Sequence, residues 1–345
     1  VSKEWWRAWK CLWIRGTKWV VCKSKALRVG HAHYHKRTSR DMAKLDVSEE
    51  ELHELGEAVM ALLVEKPLSP DHLRDALPEG AVRSLGAAGK KKGYTTTLPT
   101  ALRYLEGEGR IRRYPKEGRL DTNRYHWGLP KKNPLEDIPP LEDDQAIAVA
   151  LARHFFDWAA PATFEAFIEW STLGKRISKA AFAALELVPV SVEGLEDAFF
   201  VLPEQIDGID DLAKSDEVFL LPTLDNLLTL RSRPCLLADA SHHGYMLQGM
   251  RKGLTALGES RWLHQRPVIQ SGEWIGLWEW DPEQEDVLVG GFATLSKQTK
   301  EAAQQKMAAM ASFIKDELKG APRTHSLDND EKQAKRADAV RELHW

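Results

Sequence analysis

The chain has 345 residues, a formal net charge of −3 and 43% hydrophobic residues. This length predicts about two to four domains with enough apolar side chains for several small cores. No apolar run approaches the roughly 18 residues that span a bilayer, and no signal peptide is recognisable, so we expect no membrane partner. The three cysteines are widely spaced, which argues against a disulfide framework or a cysteine zinc site and fits a reducing cytoplasm.

Charge is distributed unevenly along the chain. Residues 1–44 hold twelve basic side chains against two acidic ones, and residues 83–133 hold thirteen against four. Acidic residues prevail from 134 to 220, with runs at 142–144 and 207–211. This asymmetry favours a polyanion as the partner of the amino-terminal half, the alternative being solvated basic faces.

The first predicted element is a hairpin. β-Branched and aromatic residues from 11 to 22 surround the turn sequence Arg15-Gly16-Thr17. The hairpin resembles a wing whose helices would lie upstream of Val1, so we expect the beginning of the protein to be missing. The alternating histidines that follow, His31, His33 and His35, would share one face of a strand. Their basic neighbours favour a helix or loop that contacts phosphate over a metal site.

A complete unit of helices and a hairpin follows. Ser48 is the predicted N-cap of a helix whose Leu52, Leu55, Val59 and Leu62 share one face. A second helix begins at Ser69-Pro70 and a third at Thr97-Leu98-Pro99. Strands near 110–114 and 123–127 flank a predicted turn at Glu117-Gly118 and form a basic wing.

The third helix of this unit is the predicted recognition helix. We expect Leu98, Ala101, Leu102 and Leu105 in the core. Thr100, Arg103 and Tyr104 would face outward, with Arg103 as the one strong donor to base edges, which favours readout of shape or backbone.

The pattern repeats after the linker 130–140, since both units end on a hairpin and Leu-Pro. Ile147, Leu151, Phe155 and Trp158 stripe one helix, Phe164, Phe167 and Ile168 the next, and Ser178 is expected to cap a third. The wing near 193–197 is acidic, so we interpret this unit as a spacer or packing module.

The last domain has a different pattern. Strands are predicted at 218–221, 267–270, 274–280 and 286–292, followed by a helix with Ala303, Met307, Met310 and Ile314 on one face. Trp274, Trp278 and Trp280 should share one side of their strand, as a core row or a base-stacking platform. We expect the residues from Pro322 onward to form a loosely attached polar tail.

These patterns predict an α+β protein in which tandem winged-helix domains precede a small antiparallel β-barrel-like domain with a C-terminal helix. The predicted boundaries are 1–45 for the remnant of a first winged helix, 46–133 for the second, 141–212 for the acidic third, 213–319 for the β domain and 320–345 for the tail.

Four segments then carry a family resemblance. They are Trp13-Ile14-Arg15-Gly16-Thr17, Phe199–Pro203, Leu220-Leu221-Pro222-Thr223-Leu224-Asp225-Asn226-Leu227-Leu228 and Gly272–Trp278. In this order, over residues 10–318, the chain resembles the tandem winged-helix proteins that include the bacterial DNA glycosylases excising alkylated bases and unhooking interstrand crosslinks. The resemblance implies three winged helices and a β-barrel-like domain around a DNA-binding concavity.

The chain departs from that family in its chemistry. Hydrolysis of an N-glycosidic bond needs a group that positions and polarises a water, which family glycosylases supply from a Gln-x-Gln or Gln-x-Asp element before the first wing. No glutamine precedes Gln145 here. Gln205-Ile206-Asp207 and Gln284-Glu285-Asp286 match the letters in other places, and we interpret both as coincidence. If a carboxylate acts, Asp225 is the first candidate, the alternative being a turn-forming Asp-Asn.

The predicted function is DNA binding in DNA repair, with an active glycosylase of alkylated or crosslinked purines and a winged-helix transcriptional regulator as alternatives. The expected partner is double-stranded DNA, either intact or damaged, bound by a monomer in the nucleoid-associated cytoplasm. No metal or cofactor is expected. The residues predicted to contact DNA are Arg15, Lys18, Lys90, Lys91, Lys92, Arg103, Arg110, Arg112, Arg113, Arg119, Arg124, Arg231, Arg233 and Arg266.

Overall fold

The computed structural model of the chain describes residues 9–14, 17–21, 24–116, 124–139, 141, 143–208, 216–223, 225–229, 233–248, 253–259, 265–318 and 329–345, with the backbone alone before residue 34. These residues form two compact units. The first unit takes residues up to Gly118, Arg124–Phe155 and Phe167–Leu187. The second takes Phe156–Ala166 and Val188–Trp345.

The amino-terminal part of the first unit is a hairpin, a set of helices and a second hairpin. In chain order its elements are β1 (Trp9–Ile14), β2 (Thr17–Val21), α1 (Ser24–Ala43), α2 (Glu49–Leu63), α3 (Pro70–Ala76), α4 (Gly86–Lys91), α5 (Leu98–Gly107), β3 (Arg112–Pro115) and β4 (Tyr125–Gly128). β1 and β2 pair antiparallel, which confirms the predicted first hairpin. α4 was not predicted, because its sequence, Gly-Ala-Ala-Gly-Lys-Lys, has no apolar stripe.

Local capping explains where the predicted helices begin. The Ser48 hydroxyl accepts a hydrogen bond from the Glu51 backbone N–H at 3.0 Å, and Ser69 does the same for His72 at 3.2 Å. Each bond satisfies an amide that has no partner within its helix. The apolar faces of α2 and α5 then share one core with Ile111 and Trp127.

The second hairpin belongs to this core. β3 and β4 pair antiparallel from Arg112↔Gly128 to Pro115↔Tyr125. Leu68, between α2 and α3, adds a bridge to Trp127, with both backbone N–H groups donating across it. Because Trp127 is only 2% exposed, its burial fixes the hairpin on the helices.

In the predicted repeat, as in the preceding elements, helices are followed by a terminal hairpin. The repeat consists of α6 (Asp144–Ala159), β5 (Ala162–Thr163), α7 (Phe164–Ser171), α8 (Lys175–Leu185), β6 (Val188–Val190) and β7 (Phe199–Val201). The three strands form one sheet in the order β5-β7-β6.

Two predicted side-chain roles in this repeat were wrong. Trp158 was expected in the core, but it lies in the last turn of α6 and is 67% exposed. Ser178 was expected to cap a helix, but α8 begins three residues earlier. Gly174 is the N-cap, with extended backbone angles, and Ser178 is fully buried inside the helix.

The second unit contains an antiparallel sheet with helices. Its remaining elements are β8 (Val218–Leu220), α9 (Asn226–Thr229), β9 (Met246–Gln248), β10 (Leu254–Ala256), β11 (Arg266–Gln270), β12 (Glu273–Asp281), β13 (Asp286–Gly291), α10 (Lys297–Leu318) and α11 (Asp330–Arg341). The sheet order is β13-β12-β11-β8, and these are the four strands that the sequence predicted. β9 and β10 form a separate hairpin.

The tryptophan row of β12 is split between the two faces of the sheet. Ile269 pairs with Trp274 but Val268 pairs with Gly276, so Ile275 is the extra residue of a β-bulge. A shift of one residue reverses the side-chain alternation. Trp278 and Trp280 therefore pack with α10, whereas Trp274 packs in the core of the opposite face. The shared side predicted for all three was wrong, although all three are core residues.

The prediction of a loosely attached tail was also wrong in part, because α11 packs on the sheet. Ala337 and Val340 of this helix are buried, and His344 forms a β-bridge with Gly291. The chain comes so close to β13 that a Cβ atom on Gly290 would lie 2.6 Å from Leu343 Cβ. The polar composition misled the prediction because two arginines of α11 pair with carboxylates of β12.

Candidate nucleic-acid interface

The helix predicted to read DNA, α5, is almost entirely covered. Thr100 is fully buried and Tyr104 is 8% exposed, so neither faces outward as predicted. The cover is α1. The His35 ring stacks on the Tyr104 ring with centroids 4.2 Å apart, and the Ser39 hydroxyl lies 3.1 Å from the Tyr104 hydroxyl.

This contact also engages the predicted base-edge donor. Arg103 donates a hydrogen bond from Nη1 to the Tyr34 hydroxyl at 3.0 Å. Burial raises the pKa of Tyr104 to about 12, so this phenol is neutral where it meets α1. In this arrangement α5 does not offer an open face to a DNA groove, because α1 covers it. The periodicity of α5 alone could not predict this, since the covering residues belong to another helix.

The wing divides its arginines between core and surface. Arg113 is buried, with Nη2 2.6 Å from Glu106 Oε2 and its guanidinium 4.7 Å from the ring centroids of both Tyr125 and Trp127. A phosphate cannot reach this group without displacing the core around it. The prediction that Arg113 contacts DNA is therefore corrected.

The other wing arginines are more accessible. Arg112 is half-buried, with its guanidinium 4.9 Å from the Tyr114 ring centroid, and Arg124 is exposed. Lys116, which directly follows β3, is exposed as well. Arg110 is held by Glu57 at 2.7 Å and by Glu108 at 3.8 Å. Arg112 and Arg124 thus remain the predicted wing contacts.

The predicted lysine run lies at the carboxyl end of α4. Lys90 and Lys91 are exposed, and Lys92 pairs with Asp41 of α1 at 3.2 Å. Three predicted contacts, Arg15, Arg119 and Arg231, fall outside the described residues. Lys18 lies on β2, where the backbone alone is described.

The two described predicted contacts of the second unit, Arg233 and Arg266, lie in ion pairs. Arg233 pairs with Asp197 at the surface. Arg266 is 4% exposed and pairs with Glu279, which also accepts from Arg336 Nε at 2.6 Å. Arg266 is a structural cation inside the sheet, so the prediction that it contacts DNA is corrected.

Asp225 lies in the loop between β8 and α9. Its carboxylate accepts a hydrogen bond from the Leu227 backbone N–H at 2.8 Å. Burial raises the pKa of Asp225, and the bond from Leu227 opposes that shift. The loop is anchored where Trp278 Nε1 donates to the Leu221 carbonyl at 2.7 Å.

The two glutamine sequences outside the expected position have structural roles. Gln205 donates to the Phe156 carbonyl at 3.1 Å and accepts from the Leu202 backbone N–H at 2.8 Å. The backbone N–H of Gln284 donates a hydrogen bond to Asp281 Oδ1 at 3.3 Å. These contacts favour the interpretation of both matches as coincidence. No group of metal-ligating side chains occurs among the described residues.

No helix within the described ranges is long and apolar enough to cross a membrane. The protein family described as DNA glycosylase AlkZ-like matches residues 12–313 of the chain. Curated protein sequences give no significant match. Among solved structures, Streptomyces sahachiroi DNA glycosylase AlkZ is similar in fold, with a TM-score of 0.60 and 20% identity over 88% of this chain and 78% of that chain.

Proposed function

The chain belongs to the AlkZ-like DNA glycosylase family, which supports a DNA repair role involving DNA binding, and we propose that it binds double-stranded DNA through winged-helix units. The family match over residues 12–313 is the observation that carries the proposal. Binding is to the sugar-phosphate backbone more than to base edges, because the one strong donor of α5 is held by Tyr34.

The order of elements in the first unit supports the winged-helix interpretation. α2, the bridging residue Leu68, α3, α5 and the β3-β4 hairpin follow one another as the helices, short strand and wing of that motif do. The sheet β5-β7-β6 has the same arrangement, with the first strand paired to the last. The β3-β4 wing is the one offered to the DNA backbone, with Arg112 and Arg124 as its cations, because the wing near 193–197 is acidic.

Hydrolysis of an N-glycosidic bond is the second candidate function. The observation that favours it is Asp225, a carboxyl group whose pKa is raised by burial. Such a group accepts a proton from water more readily than an ordinary aspartate does. Among the described residues, Asp225 is the carboxyl group that we propose to position the water.

One experiment tests both functions. A duplex with a single N7-alkylated guanine and an intact duplex are incubated with the protein, and binding and abasic-site formation are measured in the same samples. We expect binding to both duplexes. If the chain is also a glycosylase, abasic sites form on the alkylated duplex and disappear with Asp225→Asn.

Asp239→Asn is the matched control. Asp239 is an exposed residue of the same unit that caps the short helix Ala240–His242, and asparagine can serve as the N-cap in its place. Binding without abasic sites would leave DNA binding as the function and reject hydrolysis. Absence of binding to either duplex would contradict the proposed function as a whole.

A further inference from the structure

The structure places two sets of basic side chains of the first unit side by side, one on α1 and the turn after it and one on α4. Arg37 and Arg40 belong to α1, Lys44 directly follows its last residue, and Lys90 and Lys91 belong to α4. We propose that these five residues, the α1–α4 basic surface, track the phosphates of one strand of duplex DNA. This inference rests on the proposed DNA-binding function and identifies a contact surface separate from the wing.

The α1 part of this surface is a stripe along one helix face. Arg37 and Arg40 are neighbours at the i, i+3 spacing, Lys44 follows in the turn after the helix, and all three are exposed. The opposite face, with Thr38 and Met42, is buried. From residue 37 to residue 43, where α1 ends, the helix rises about 9 Å. That length matches about three phosphates of one strand, which are spaced about 3.4 Å along the duplex axis.

The α4 part is a short helix that ends in lysines. Gly89 allows this helix to form against its neighbours, because a Cβ atom there would lie 2.3 Å from Leu85 Cβ and 2.6 Å from the Tyr94 carbonyl oxygen. The close packing fixes the backbone from which Lys90 and Lys91 project into solvent. Lysine suits this role because its ammonium is a point charge on a flexible stem.

One ion pair joins the two parts. Lys92 Nζ lies 3.2 Å from Asp41 Oδ1, and Asp41 stands four residues after Arg37 and three before Lys44. This contact brings the end of α4 beside the stripe, and Lys92 neutralises the carboxylate that borders it.

The five cations of the surface lack protein counterions in the part of the chain that the structure describes. No carboxylate in those residues pairs with any of them, whereas nearby Lys36 pairs with Asp144 and Arg83 with Glu51. Cations without carboxylate partners are available to neutralise phosphates, which releases the counterions condensed on the duplex. The line of charge favours a regularly spaced polyanion such as duplex DNA over an acidic peptide.

The test measures how duplex affinity depends on salt in three double variants. Arg37→Gln with Arg40→Gln changes the α1 stripe, and Lys90→Gln with Lys91→Gln changes α4. Lys297→Gln with Lys315→Gln removes the same charge from exposed positions of α10 in the second unit. Circular dichroism and thermal unfolding confirm that each variant is folded.

We expect each of the first two variants to make the slope of log K against log salt shallower by about 1.8, since each phosphate contact contributes about 0.9. The affinity at 0.1 M salt should fall more than about tenfold, and the α10 control should leave both quantities unchanged. If wild type binds but the α1 and α4 variants behave like the control, the surface assignment is wrong while DNA binding stands. Tighter binding to an acidic peptide than to duplex DNA would also overturn it, and no binding by wild type would instead reject the proposed function.

Discussion

Arg112 and Arg113 are adjacent and chemically identical, yet the hairpin gives them opposite environments. Successive side chains of a strand point to opposite faces, so only one can join the core. Arg113 enters it, where its charge is balanced by Glu106 and its guanidinium lies against Tyr125 and Trp127. Arg112 lies over Tyr114 on the other side. A count of positive charges in the wing cannot distinguish the two.

At this scale we predict a large difference in stability between two alanine variants. Arg113→Ala leaves Glu106 buried without its cation and should lower the free energy of unfolding by about 3–5 kcal/mol. Arg112→Ala removes a partly exposed cation–π contact, worth about 0.5–1 kcal/mol, and leaves no buried charge unpaired among the described residues. Urea denaturation of both variants measures the difference. Equal losses would show that the Arg113–Glu106 pair does not stabilise the core.

Among the elements, α11 shows how a polar helix can be an integral part of a fold. Glu279 and Asp281 of β12 point to the face that α11 covers, and both are buried. Arg336 and Arg341 of α11 pair with them. Burial would raise the pKa of Asp281, but hydrogen bonds from Arg341 and from the Glu283 and Gln284 amides hold it below its usual value. The helix therefore completes an ion-pair network that β12 cannot satisfy alone.

We expect Arg336→Ala to destabilise the second unit. The change leaves Glu279 with Arg266 as its remaining cation and should lower the free energy of unfolding by about 3–5 kcal/mol. Lys335→Ala is the control, because Lys335 is exposed and pairs with Glu331 at the surface, so little change is expected. Hydrogen exchange of β12 and β13 amides localises the effect. Unchanged protection in the Arg336 variant would mean that α11 does not support the sheet.

For the whole molecule, charge is separated along the chain although the net charge is only −3. The first unit carries the exposed cations of the wing and the α1–α4 basic surface. Binding through backbone charge has no direct dependence on base identity, whereas its dependence on salt is strong.

We therefore predict a specific pattern of affinity for the full chain. If the five residues of the α1–α4 basic surface each contact a phosphate, the slope of log K against log salt is about −4.5 or steeper. Affinities for alkylated and intact duplexes should agree within about threefold, because phosphate contacts carry no sequence information. Fluorescence anisotropy at several salt concentrations checks both expectations. A strong preference for the alkylated duplex would point instead to recognition of the lesion in a pocket.

The sequence by itself determined the elements whose cause is local or periodic. Ser48 and Ser69 mark helix starts, the strands of the β domain show in their β-branched and aromatic runs, and the ordered segments around Arg15 and Asp225 indicate the family. What only the tertiary structure decided is which polar side chains are covered. α1 packs on α5, a bulge at Ile275 moves Trp274 to the other face of the sheet, and α11 supplies cations to Glu279 and Asp281. These outcomes depend on contacts between residues distant in sequence, where burial and ion pairing override the preferences of each segment.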